Sequence, residues 1–357
     1  MTLSPDPQSF SMDALITCVD GPATFAALRA RSLEYGEVQE DRPGRFACTT
    51  SVGLVDLRQD ERGLVLGVRA RDAGTLQMMR DTVFYLTEEL EGVSGVAWAG
   101  EEAGCATDTP ALPANFRLVT VTGAWRINRD FIRLRVSGET LAPFAETGMH
   151  FRLAIPAPGR TPVWPCVSPE GRTRWPEGED KLHTPAYTIV AVSPEEGWIE
   201  FDVYTHGRGP TCAWAEGLLA GTEPRSLVGL SGPGGGWFPD TDDLLIGGDE
   251  TALPAILRIL THHEGRARAV IELADEAAKE AIPEDIRPLV EVLCRDAGGS
   301  AADWLEARVD QHGTPGFLWF AGETTAAQRL RARMREDWKL PRGAHYLSAY
   351  WTDTSTA

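Results

Sequence analysis

The spacing of apolar residues changes twice along this chain, and the changes divide it. Up to about residue 99, short strand patterns mix with helical ones. Ala14-Leu15-Ile16, Arg45 to Thr50, Leu54 to Arg58 and Leu64 to Arg71 predict strands. Pro22 to Tyr35, stopping at Gly36, and Ala73 to about Leu90, capped by Asp72, predict helices. Val96-Ala97-Trp98 closes this α+β unit, and Gly100 to Pro113, holding Gly104 and Pro110, reads as a linker. From Phe116 the period becomes two: Phe116, Leu118, Val119 and Val121, then Phe131, Ile132, Leu134 and Val136, alternate with polar residues as strands with one wet face do. His150 to Ile155, Ala186 to Val192, Trp198 to Tyr204 and Ser226 to Leu230 continue the series between Gly and Pro turns. Six short strands so spaced predict a small antiparallel barrel. Beyond Pro239 the elements alternate, with strands at 244–246, 268–273, 289–294 and 317–321 and helices at 252–263, 276–281, 300–308 and 325–338. That rhythm predicts an α/β domain on a parallel sheet.

The chain therefore reads as multidomain: a small α+β domain over 12–99, an antiparallel six-stranded β-barrel over 114–238, and an α/β nucleotide-binding domain with a parallel sheet over 239–352. A barrel followed by such a domain leaves a groove, a usual place for a two-part ligand. Residues 1–11, rich in Ser and Pro, read as a loose arm.

The chain is organised around Leu244 to Leu260. An apolar run, Leu244-Leu245-Ile246, meets Gly247-Gly248 and then Asp249-Glu250-Thr251; from Ala252, helical spacing sets in with Pro254 in the first turn. In an α/β sheet such a turn lies at the carboxyl edge of the strands, where glycine backbone and free helix N–H groups let phosphates approach. Gly316 to Ala321, Gly322-Glu323-Thr324 and Thr325 to Trp338 repeat the strand, turn and helix. If the two strands are parallel neighbours, both turns open onto one crevice. Capping of the first helical turn is the economical reading of Asp249 and Glu250; an acid–base pair is the sharper one.

Composition narrows the partners. In 357 residues, 34 Lys and Arg stand against 52 Asp and Glu, a formal net charge of −18. This argues against nucleic acid, which is bound by clustered cations. No run approaches the roughly 18 apolar residues of a membrane span, and the first ten residues lack the basic and apolar parts of a signal peptide, so a cytoplasmic chain with no membrane partner is expected. Six separated cysteines without a C-x-x-C pair read as free thiols. Adjacent His262 and His263 point about 100° apart on a helix, a poor chelate, so no structural metal is expected.

With these residues in place a resemblance can be stated. Ala186-Tyr187-Thr188, His206-Gly207-Arg208-Gly209-Pro210 with Trp214-Ala215, Gly248 to Ile256, Trp319 to Glu323 and the terminal Tyr350-Trp351 resemble the siderophore-interacting proteins, flavin reductases of the ferredoxin-reductase superfamily. The likeness covers about residues 114–352. The stretch from about 12 to 99 is similar to a small domain of unknown function that occurs fused to this family. The resemblance implies FAD on the barrel, NAD(P)H in the crevice as electron donor, and reduction of ferric siderophore to iron(II). It further implies that Tyr187 and Thr188 lie along the flavin, and that His206, Gly207, Gly209 and Pro210 shape the turn that receives its pyrophosphate, followed by Trp214 and Ala215. Gly248, Asp249, Glu250, Thr251 and Ala252, with Gly322 and Glu323, would line the nicotinamide side, and Tyr350 and Trp351 the flavin face.

Three departures stand out. The family's Arg-x-Tyr-Thr signature has Pro185 at the Arg position, leaving Arg172, Arg174 or Lys181 as candidate replacements. The His206 loop is one residue short and carries Thr211 where alanine is usual, and the ending Ala349-Tyr350-Trp351-Thr352 lacks the usual Gly and Arg. A flavin-free descendant, whose crevice binds another small molecule, is the alternative. Arg329, Arg333 and Lys339 are candidates to attract an anionic ferric siderophore; a solvated helix end is the bland reading. Gly232-Pro233-Gly234-Gly235-Gly236 lacks the Lys and helix of a phosphate loop and reads as a flexible interdomain connection.

Overall fold

The computed structural model describes residues 10–33, 36–61, 63–99, 111–205, 209–223, 225 and 227–353. Most of the predicted arm, of the linker and the His206-Gly207-Arg208 segment lie outside them. The chain divides into two compact units, residues 1–117 with 156–182, and residues 118–155 with 183–357.

The first unit is a six-stranded antiparallel sheet with two helices. Its strands β1 (Phe10–Cys18), β2 (Gly36–Arg42), β3 (Arg45–Thr50), β4 (Leu54–Asp60), β5 (Gly63–Ala70) and β6 (Val93–Trp98) lie in the order β2-β3-β4-β5-β1-β6. Helices α1 (Gly21–Ser32) and α2 (Ala73–Glu88) start where Asp20 and Asp72 accept backbone N–H groups of the first turn. Leu28 and Val83 from the helices pack with Phe46, Leu57 and Leu66 from the sheet. Strand β2 was not foreseen: Glu37-Val38-Gln39-Glu40-Asp41-Arg42 is almost wholly polar, as suits an exposed edge strand. Residues 156–182 join this unit, where Asp81 on α2 accepts the backbone N–H and hydroxyl of Thr173 at 2.8 and 2.7 Å.

In the second unit the barrel begins with β7 (Phe116–Arg126), β8 (Phe131–Ser137), a short helix α3 (Pro143–Glu146) and β9 (His150–Ala154). The excursion into the first unit carries the hairpin β10 (Cys166–Val167) and β11 (Thr173–Arg174), and the chain returns for β12 (Ala186–Thr188), β13 (Ala191–Ser193), β14 (Trp198–Tyr204), helix α4 (Pro210–Ala220) and β15 (Leu227–Gly234). Sheet order is β12-β9-β15-β7-β8-β14-β13. Its two edges, β12 and β13, are thus one run of chain bent at Ile189-Val190, whose N–H groups donate to Met149 O and Glu200 O at 2.8 Å each. The sheet closes on itself, and the single strand predicted at 186–192 is the broken stave that closes it. Leu134, Phe151 and Phe201 fill the interior with Trp214 and Ala215 of α4.

The α/β domain follows with β16 (Asp243–Gly248), α5 (Leu253–His262), β17 (Arg266–Leu273), β18 (Val290–Cys294), α6 (Ala301–His312), β19 (Phe317–Glu323), α7 (Thr324–Arg333) and β20 (His345–Trp351). All pairings are parallel, in the order β18-β17-β16-β19-β20. The order reverses between β16 and β19, which makes their carboxyl ends the topological switch point. Strand β20 was missed because Ser348 and Ala349 interrupt its apolar pattern. Barrel and α/β domain share one apolar cluster, in which Phe131 and Met149 meet Leu253 and Ile256. Among the described residues no helix is long and apolar enough to cross a membrane.

Candidate functional site

The two glycine-acid turns abut. Gly248 at the end of β16 is in register with Ala321 of β19, and a Cβ at Gly248 would stand 2.3 Å from Ala321 O. A Cβ at Gly322 would stand 2.9 Å from Asp249 Oδ2. Only glycine at both positions lets the turns approach this closely.

Asp249 is buried at 5% exposure. Its Oδ1 accepts Thr251 N at 2.9 Å and Thr251 Oγ1 at 2.5 Å, and its Oδ2 accepts the Trp351 indole N–H at 2.7 Å. Burial raises its pKa above the ordinary aspartate value, and the bonds from Thr251 and Trp351 only partly oppose this. A raised folded-state pKa means that the group's contribution to stability is full below the unfolded value and is lost as pH rises through the folded one. Asp249→Asn is therefore expected to gain stability relative to the parent as pH rises from about 4 to 7. Melting curves of both proteins across that range check this; a constant difference would show that Asp249 titrates normally.

Glu250 does not cap α5, whose first turn has no side-chain cap. Its carboxylate, buried at 3% exposure, accepts Arg295 Nη2 and Nη1 at 2.8 and 3.3 Å, while Arg295 Nε donates to Glu272 at 2.7 Å. Capping does occur at the second turn, where Glu323 Oε2 accepts the N–H groups of Thr325 and Ala326 at 2.5 and 3.3 Å.

Tail strand β20 ties the crevice together. Tyr350 Oη lies 2.7 Å from His150 Nε2 on barrel strand β9, and Trp351 reaches Asp249. His150 Nδ1 lies 2.7 Å from Gly235 O, and a carbonyl only accepts, so Nδ1 carries the proton. Burial lowers the His150 pKa and raises that of Tyr350, so a neutral imidazole accepts the phenol O–H. In the sequence, His150 stands out only as the start of a strand. The Gly232 to Gly236 run is no loose connection: Gly232 and Gly234 belong to β15, and a Cβ at Gly236 would stand 3.0 Å from the His150 ring.

On the barrel, the Tyr187 ring packs 5.1 Å from that of Phe201, and burial raises the pKa of its hydroxyl. Thr188 is buried and lies opposite His150 across the β12–β9 pair. Helix α4 opens at Gly209, held at φ +87°, with Pro210 in its first turn, no side-chain cap and no acidic residue there. Pro185 O accepts Leu153 N at 2.9 Å. Among the proposed replacements for its arginine, Arg172 is bound to Glu88 within the first unit.

The structure does not bring Arg329, Arg333 and Lys339 to this edge. Arg329 and Arg333 lie about 8 and 14 Å along α7 from Thr324 at 1.5 Å per residue. Arg329 pairs with Asp303 and with Glu306 at 3.2 Å, and Arg333 with Asp310 at 2.7 Å and Asp337 at 3.0 Å. Lys339 follows in a left-handed conformation at φ +49°.

With this geometry in hand, known proteins can be compared. Residues 120–237 match the siderophore-interacting FAD-binding domain and residues 241–354 the siderophore-interacting protein domain. The chain is similar to the mycobactin import ATP-binding/permease protein IrtA of Mycolicibacterium thermoresistibile, 28% identical over 50% of this chain and 20% of that one. It thus spans about a fifth of that relative's length. The crystal structure of a siderophore utilization protein from T. fusca superposes with a TM-score of 0.52 at 25% identity, over 67% of this chain and 93% of that one. The siderophore-interacting protein SipS of Aeromonas hydrophila shares the fold, with a TM-score of 0.50 at 21% identity over 67% and 92% of the two chains. Through residues 120–354, which carry both matched domains, the chain belongs to the siderophore-interacting protein family.

Proposed function

We propose that the chain is a cytoplasmic NAD(P)H-dependent flavin reductase that reduces iron(III) in a siderophore to iron(II), which the chelator then releases. The observation that carries this reading is the pair of glycine-acid turns side by side at the switch point, joined by the tail strand to the barrel wall. The residues present fit FAD: the first turn of α4 has no side-chain cap, is free of acidic side chains and carries the hydroxyl of Thr211, as suits a diphosphate seat. When bound, FAD supplies hydride acceptance and one-electron delivery. The chain's own part is to seat and orient. Helix α4 offers N–H groups to the diphosphate, and Thr188, His150 and Tyr350 border the ring side. Gly248 and Gly322 let the two turns close against each other on the nicotinamide side. The Arg295 guanidinium offsets the charge of Glu250 beside an incoming dinucleotide.

Steady-state oxidation of NADH or NADPH tests this. The rate is expected to rise when a ferric siderophore is added, with iron(II) captured by a ferrous chelator; no acceleration with either nucleotide would contradict the proposal. Pro185 favours the alternative of a flavin-free descendant, since proline offers neither charge nor donor to a phosphate. In that case the same crevice binds another small molecule and FAD is not retained.

A further inference from the structure

Two of the positions at which this chain departs from its family's pattern are linked through His183. Pro185 stands where arginine is usual, and Thr211 where alanine is usual. Alternate residues of a strand share a side. Tyr187 pairs with Phe151, Pro185 O accepts Leu153 N, and His183 bridges Ile155, so His183, Pro185 and Tyr187 lie on one side of their segment. One polar member of that row reaches helix α4: His183 Nε2 lies 2.7 Å from Thr211 Oγ1. Thr211 is 7% exposed and is the second residue of α4, beside the open backbone N–H groups. Burial lowers the His183 pKa, which leaves its imidazole uncharged at neutral pH. The cation nearest to Pro185 along the paired strand, Arg152, lies opposite Ala186 and so on the other side, where its Nη1 donates to Thr184 O at 3.3 Å.

We propose that the pair of His183 and Thr211 replaces the missing arginine, holding the FAD diphosphate at the start of α4 through uncharged donors instead of a guanidinium fork. This rests on the reading of the barrel as a flavin site. Thr211 is then a determinant of flavin affinity in this chain, although alanine suffices where arginine is present.

The test is titration of the purified chain with FAD, followed by quenching of flavin fluorescence, with melting curves of the flavin-free proteins to confirm folding. Thr211→Ala is expected to weaken FAD about tenfold, the value of one hydrogen bond, and Thr211→Ser to restore most of that. In the Thr211→Ala background, Pro185→Arg is expected to recover parental affinity, because the fork makes the hydroxyl dispensable. Parental affinity in Thr211→Ala, or a loss that appears in Arg152→Gln and not in Thr211→Ala, would overturn the proposal. A parent that binds no FAD would remove the flavin reading itself, an outcome distinct from a parent that binds and a Thr211 variant that binds equally well.

Discussion

Replacing Arg295 by alanine is expected to lower the stability of the second unit by about 3 kcal/mol, the lower end of the range for stripping one partner from a buried pair. The asymmetry of the pair sets this size. The Arg295 side chain is 41% exposed and also bonds Glu272, whereas that of Glu250 is 4% exposed. Removing the arginine strands a carboxylate that water hardly reaches. Glu250→Gln alone leaves Arg295 with Glu272 and solvent and is expected to cost less, about 1 kcal/mol. The double variant should be more stable than Arg295→Ala, since no buried charge remains. Urea unfolding of the parent and the three variants measures all of this. A loss below about 1 kcal/mol in Arg295→Ala would show that Glu250 is hydrated in solution.

The second large effect is expected at Gly248. In Gly248→Ala the new methyl would stand 2.3 Å from Ala321 O and 2.7 Å from Ala252 Cβ. Neither neighbour is the end of a flexible side chain, so relief requires β16 and β19 to part at the switch point. A cost of about 3 kcal/mol is expected, the upper end for overpacking, together with a loss of more than about tenfold in NAD(P)H affinity because the turn is displaced. Gly235→Ala is the control: nothing lies within 4 Å of its added methyl, and its carbonyl bond to His150 is retained. Unfolding curves and nucleotide titrations of both variants check the contrast. Equal behaviour would mean that the strands are looser than this geometry requires.

These positions also show how far the sequence could be read. The β16 turn was legible because an apolar run, two glycines and helical spacing follow one another within a few residues, so local rules suffice. The closing stave of the barrel was legible as a strand but not as a seam. Its alternation runs on through Ile189 and Val190, and nothing local shows that β12 and β13 pair with different neighbours. Strand β2 lacks the apolar face by which strands are found, because one edge of its sheet faces water.

Within the proposed site, Tyr187, Thr188 and the two turns stand out by their motifs. His150 does not, since its partner Tyr350 is 200 residues away. Glu250 was expected to cap a helix for the same reason: the arginine that holds it lies 45 residues further on. Arg329 and Arg333 were read as candidates to attract an anion because their counter-charges, Asp303 and Asp310, belong to α6 and are not evident from the helix that carries the arginines.

The proposal that this barrel holds a flavin is tested most directly by the visible absorption spectrum of the purified chain, recorded as isolated and again after incubation with FAD and removal of free flavin. Expected is a yellow protein whose flavin bands stay with the chain and bleach anaerobically when NADH or NADPH is added. A chain that remains colourless and releases all added FAD would contradict it.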